Sequence, residues 1–118
     1  MAIEVVEMTK SDVYGERNQA VYEKEVSLSD VGTSDIIKIP AGMNKIAVTL
    51  SVGGGGKGKV QASTDTIPVI DAITGIIWVD WDKGEVAVDS QDSCEPAISA
   101  LRLNQTFAGT TKLTVRCQ

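Results

Sequence analysis

The sequence predicts an all-β protein, an antiparallel β-sandwich or jelly-roll-like barrel of about 7–8 short strands. Three observations carry that prediction. Apolar residues recur at every second position through most of the chain, turn residues punctuate those runs at near-regular spacing, and the apolar residues are mostly aliphatic and β-branched. Of the 118 residues, 42% are hydrophobic, yet only one Phe, two Tyr and two Trp are present, so Val, Ile and Leu must build the core. A charged share of 23% is ordinary for a globular domain and far from the composition that leaves chains disordered. One domain is expected at this length.

Residues 1–33 read as an N-terminal strand and a polar arm, ahead of a sandwich core spanning 34–118. Within the arm, residues 8–20, MTKSDVYGERNQA, mix charged, polar and glycine positions and suit a long loop that a neighbouring subunit could order. In SDIIKIPAG, Ile37 and Ile39 share a face, and Pro40 and Gly42 end the run in a turn. NKIAVTLSV carries the clearest alternation: Ile46, Val48, Leu50 and Val52 point one way, Lys45, Ala47, Thr49 and Ser51 the other. Four glycines follow, and GKVQAST resumes the pattern with Val60 and Ala62 inward, so the pair reads as a hairpin whose second strand continues through VQASTDTIPV.

In TGIIWVDWDKGEVAVDS, Ile77, Val79 and Trp81 alternate against Ile76, Trp78 and Asp80. Asp82-Lys83-Gly84 suits a type I turn with a glycine bulge, returning the chain to Val86 and Val88. ISALRLNQTF and TKLTVRCQ, joined by Ala108-Gly109-Thr110, set Leu101 and Leu103 against Leu113, Val115 and Cys117. A helix competes for the first of these, with Pro96 in a first turn behind Ser93. The run into Thr106-Phe107 and a glycine turn, in place of a helix cap, favours strand.

The stretch SVGGGGKGKVQ invites comparison with a phosphate-binding loop. Gly53, Gly58 and Lys59 match G-x-x-x-x-G-K-[ST], but Val60 stands where the magnesium-binding hydroxyl belongs, and no helix is expected to follow. A solvated turn with Lys57 and Lys59 on it is the better reading. Asp80, Asp82 and Glu85 resemble a calcium loop, yet Gly84 falls fifth where the EF-hand frame needs Asp or Asn, so a hairpin explains DWDKGE better. Asp89, Asp92 and Glu95 read as a solvated acidic loop. Histidine is absent, which removes the commonest general base and zinc ligand.

Cys94 and Cys117 lie outside any CxxC pairing and are expected to be free thiols packed as small hydrophobes, without an imidazole to activate either. Asn104-Gln105-Thr106 is a glycosylation sequon that gains meaning only behind a secretory signal. The opening MAIEVVEMTK is acidic where such a signal is basic, and no apolar run approaches the ~18 residues of a membrane span. Synthesis in a host cytoplasm and no membrane partner are therefore expected. The formal charge of −5, with no basic run, argues against direct nucleic-acid binding. Trp78 and Trp81 point to opposite faces of one strand, so one is expected to meet solvent, a loop or a partner; a sugar-binding module could use such a ring as a platform. No catalytic, cofactor-binding or metal-binding residue is assigned.

IIKIPAGMNKIAVTLSV, GKVQASTDTIPVIDAITGIIWVDWDKGEV and PAISALRLNQTFAGTTKLTVRCQ together resemble a class of small all-β structural proteins of tailed bacteriophages. The resemblance spans residues 34–118 and leaves 1–33 outside. It implies a non-catalytic virion component, most often a capsid decoration (cement) protein on the outer capsid surface, with a head–tail connector, neck or tail accessory piece as the alternative. It further implies the major capsid protein or other virion subunits as partners, and a homo-oligomer, with a trimer favoured.

Overall fold

The computed structural model describes residues 3–14, 20–95 and 97–118. Their elements are β1 (Val5–Glu7), β2 (Thr9–Tyr14), β3 (Ala20–Leu28), β4 (Gly32–Thr33), β5 (Ile36–Lys38), β6 (Ile46–Gly53), β7 (Lys57–Ser63), α1 (Ile67–Ala72), β8 (Val79–Asp80), β9 (Ser90–Cys94), β10 (Ala100–Phe107) and β11 (Thr110–Cys117). Two sheets pack face to face. The first runs β1-β5-β10-β7-β8, with β4 beside β10, and the second runs β2-β3-β11-β6-β9. Pairing is antiparallel except where β1 lies parallel on β5. With β1 and β2 set aside, the orders β5-β10-β7-β8 and β3-β11-β6-β9 are those of an eight-stranded jelly roll, in which the chain changes sheet at nearly every connection.

The alternating residues behave as their spacing requires. Ile46, Val48 and Leu50 of β6, Leu101 and Leu103 of β10, and Leu113, Val115 and Cys117 of β11 are all buried in one cluster with Ile37, Val60 and Trp81. ISALRLNQTF is strand, not helix. The outer face of the second sheet is polar and carries two exposed cross-strand ion pairs, Arg116–Glu23 at 3.2 Å and Lys112–Glu25 at 3.8 Å. Each contributes at most about 1 kcal/mol.

Two of the three expected hairpins are instead arches between the sheets. β6 pairs with β11 and β9, whereas β7 pairs with β10 and β8. β10 and β11 likewise sit in different sheets. Inward faces of two opposed sheets share one alternation, so side-chain pattern alone does not separate an arch from a hairpin. The two arches stack on each other at their tips. A Cβ on Gly109 would lie 2.4 Å from the Gly56 nitrogen and 2.5 Å from its Cα, so only glycine fits there. Beneath them the fully buried Gln105 donates from Nε2 to the carbonyls of Phe107 (3.0 Å) and Gly109 (2.8 Å) and accepts from the Thr111 hydroxyl (2.7 Å). One amide thus satisfies the corner where the chain leaves one sheet for the other.

Three further segments depart from expectation. VQASTDTIPV does not stay strand: β7 stops at Ser63 and α1 follows, with Pro68 in its first turn and Ile73 closing it in the left-handed region at φ 53°. Pro68 lacks an N–H for a ladder but suits a helix start. Ile70 of α1 is buried against Ile36 and Ala100, with Val5, Ile76 and Trp78 around them, so α1 and the chain behind it cover the outer face of the first sheet with a second apolar cluster. The turn at 82–84 forms, with Gly84 N–H donating to Trp81 O at 3.1 Å and Gly84 at φ 62°, but it does not make a hairpin. Trp81 N–H bonds to Val60 O and Val86 bridges Gly58, so both arms of the turn run along β7.

The stretch 8–20 is the third. Met8 is buried in the main cluster and Thr9–Tyr14 forms β2, paired with β3, where a loop is expected; residues 15–19 lie outside the described residues. β3 itself pairs with β11 from Tyr22 to Leu28. Its outward positions Glu23, Glu25 and Ser27 give this half of the chain its polar look. β1 extends one sheet and β2 the other, with Met8 crossing between them, so the N-terminal segment closes one side of the sandwich.

Candidate functional site

The residues of the phosphate-loop lookalike do not converge. Gly53 ends β6, Gly54 and Gly55 take positive φ, and Gly56 N–H closes the turn on Gly53 O at 3.1 Å. Lys57 lies over the Phe107 ring, 5.4 Å from its centroid, and Lys59 turns to Asp80 at 3.0 Å. Val60 is buried in mid-strand, and α1 starts only after β7 has crossed the sheet.

The acidic residues of DWDKGE separate in the same way. Asp80 accepts from Gln61 Nε2 (2.9 Å) and Lys59 Nζ (3.0 Å), and these two donors, Gln61 first, hold its carboxyl below the usual range. Glu85 accepts instead from the Thr106 hydroxyl. Of the second group, Asp89 accepts from Val52 N–H at 2.8 Å and Asp92 from Ser93 N–H at 2.8 Å. Among the described residues no three His, Cys, Asp or Glu side chains form a metal-ligating group.

Cys94 of β9 and Cys117 of β11 are free thiols on the two strands that flank β6, each in register with Ile46. Burial pushes both up to about 11, and the carboxylates of Asp92 and Asp82 add to the rise at Cys94. The Cys117 thiol points at the Met8 sulfur, 3.4 Å away. Such thiols are poor nucleophiles near neutral pH.

Trp81 sits in the core with its Nε1–H donated to Gly84 O at 2.6 Å. Trp78 lies on the outer face of the first sheet, where the Arg102 guanidinium stacks 4.4 Å from its ring centre. Arg102 Nε donates to Gln61 Oε1 at 2.8 Å, linking Trp78 through Gln61 to Asp80 and Lys59. Burial lowers the Arg102 pKa from its ordinary value. Both indoles are therefore engaged, one inside and one under a cation.

The surface that stands out lies on the side opposite Met8. There the sandwich ends in β8 on one sheet and β9 on the other, and a groove of about 420 Å³ runs between them. Trp81, Ile98 and Ala62 form its apolar lining, Ile77 and Val79 stand at its mouth, and Asp65, Asp80, Asp82, Asp92 and Glu95 are the acidic residues along it. Asp65 Oδ2 fixes one end by accepting from Ile77 N–H (2.7 Å) and the Ser63 hydroxyl (3.0 Å). Ile77 is 69% exposed and Val79 63%. Larger concavities of about 550, 520 and 520 Å³ open elsewhere, around Lys45, Arg116 and Gln118, around Tyr22, Pro40 and Ile67, and around Ser27, Asp89 and Lys112, without large apolar side chains as exposed as these two.

Ile77 and Val79 are site residues that sequence reasoning does not single out, because alternation groups them with Trp81 without saying which face is buried. The available signal is the surplus in GIIWVDW, which is apolar on both faces, more than one buried face of a short edge strand requires. Among the described residues no helix is long and apolar enough to cross a membrane. Comparison with protein-family models and with curated protein sequences returns no match to this chain.

Proposed function

We propose that this chain is a non-catalytic structural protein that acts through its surface as a subunit of a larger protein assembly. The specific form of the proposal is a tailed-phage virion component bound to the outside of the capsid shell and reinforcing it, with a connector, neck or tail position as the alternative. The observation that carries the reading is the pair of exposed apolar side chains, Ile77 and Val79, beside the unpaired edge of β8. Burying two such side chains against a partner is favourable by about 3–6 kcal/mol before association costs, enough to matter when many copies act on one particle. The sequence resemblance supports the virion setting. The jelly roll supports it by analogy alone, since capsid domains share that fold with lectins and cupins.

Co-sedimentation of the purified chain with empty phage shells tests the reading. Attachment is expected for the native protein and lost on Val79→Lys. Attachment unchanged by that substitution, or failure to bind any phage particle, overturns it. Light scattering of the free chain reads the expected trimer, and the symmetry of its density in a particle reconstruction separates a shell site from a six- or twelve-fold neck ring.

A further inference from the structure

We propose that the groove between β8 and β9 binds an extended segment of a partner protein in which apolar residues alternate with lysine or arginine. This rests on reading the groove as the contact surface and adds the chemistry of what it contacts. β8 is the last strand of its sheet. Trp81 N–H is bonded to Val60 O and Asp80 is in register with Gln61, so by antiparallel alternation the backbone groups of Asp80 face away from β7. An extended chain laid there gains backbone hydrogen bonds as an added strand, and every second side chain meets Ile77, Val79 and the apolar floor.

Charge selects the remaining positions. Among the described residues no lysine or arginine lines the groove. Asp80 is already paired with Lys59 and Asp65 is held by local donors, whereas Asp82 and Glu95 have no ion-pair partner among the described residues. Burial first, and then the carboxylates of Asp92 and Asp82, disfavour the Cys94 thiolate at the groove wall. An acidic segment would be repelled, and a wholly apolar one would desolvate carboxylates without supplying a counter-charge. A second copy of this chain, at a net charge of −5, brings the wrong sign.

The test uses the full chain and three capped hexapeptides: alternating Lys-Val, alternating Glu-Val and alternating Lys-Ser. Backbone amide shifts are followed by NMR on titration. The Lys-Val peptide is expected to perturb residues 77–82 and 90–95 saturably, and the other two are not. Val79→Lys should abolish binding, and Asp82→Asn with Glu95→Gln should weaken it by about 5-fold. The proposal is overturned by equal binding of Glu-Val or Lys-Ser, by an unchanged affinity in the double variant, by shifts centred on β1 and β2, or by self-association through β8 without peptide. Shell attachment that needs Val79 without Lys-Val binding removes this inference and leaves the proposed function standing. Peptide binding with attachment indifferent to Val79→Lys does the reverse.

Discussion

Gly109 shows how much of this fold hangs on single atoms. Its missing Cβ would occupy the space of the Gly56 backbone, which can move only if both arches move. Gly55, one residue earlier in the facing arch, has open space around it and only its φ of +76° to protect. Gly109→Ala is therefore expected to lose at least about 2 kcal/mol of unfolding free energy, and Gly55→Ala about 1 kcal/mol. Urea denaturation of the two variants measures the difference, and equal losses would mean that the arches do not support each other. The thiols give a second residue-scale expectation. With Cys94 and Cys117 raised from 9.0 to about 11 in the folded state, the unfolded chain releases its thiol protons first as pH rises. Their contribution is complete below the ordinary value of 9.0 and disappears as pH climbs through about 11. The urea midpoint should accordingly fall over that window in the native protein. A midpoint that holds level there, or that falls equally in a Cys94→Ser/Cys117→Ser variant, would contradict the assignment.

At the scale of elements, the N-terminal strands and the arches carry the lesson. Met8 joins β1 to β2 across the seam and fills core space beside Cys117. Met8→Ala should cost about 2–5 kcal/mol, as for other buried large-to-small changes, although Met8 opens a stretch that looks dispensable in sequence. A thermal melt within a degree of the native protein would show that the N-terminal segment only rests on the sandwich. What the sequence made legible was the direction of side chains: Ile46, Val48 and Leu50 inward, Thr49 outward, and likewise along β10 and β11. Which sheet a strand joins was hidden, because a glycine tip such as 53–56 permits both an arch and a hairpin. α1 was hidden for a different reason. Six residues are too few to show a helical period, and Ile67-Pro68-Val69-Ile70 looks like the end of a strand until Ile70 finds Ile36 and Ala100. Ser34 was equally unreadable. It bridges the gap between β4 and β5 by accepting Leu103 N–H on its hydroxyl at 2.9 Å, a task defined only by the neighbouring strand.

Over the whole molecule, the groove joins residues near 78 on one sheet to residues near 93 on the other, so its two walls meet only after the sandwich has closed. The individual acids were visible as a charged loop, but their convergence on exposed Ile77 and Val79 was a property of topology. The same topology sets an expectation for kinetics. Nearly every strand pair joins residues distant in sequence, so refolding from urea should take milliseconds to seconds by stopped-flow tryptophan fluorescence. Complete refolding within microseconds would be incompatible with this strand order. Strand order also bears on synthesis. β10 lies between β5 and β7, and β11 between β3 and β6, so the middle strand of each sheet is translated after both of its neighbours. While a ribosome is still elongating past residue 95, β3, β5, β6 and β7 have no common neighbour to zip onto, and their oily sides stay open to chaperones. Assembly of the sandwich must therefore wait for Ala100–Cys117 to leave the exit tunnel, making its closure a nearly all-at-once event rather than a gradual one.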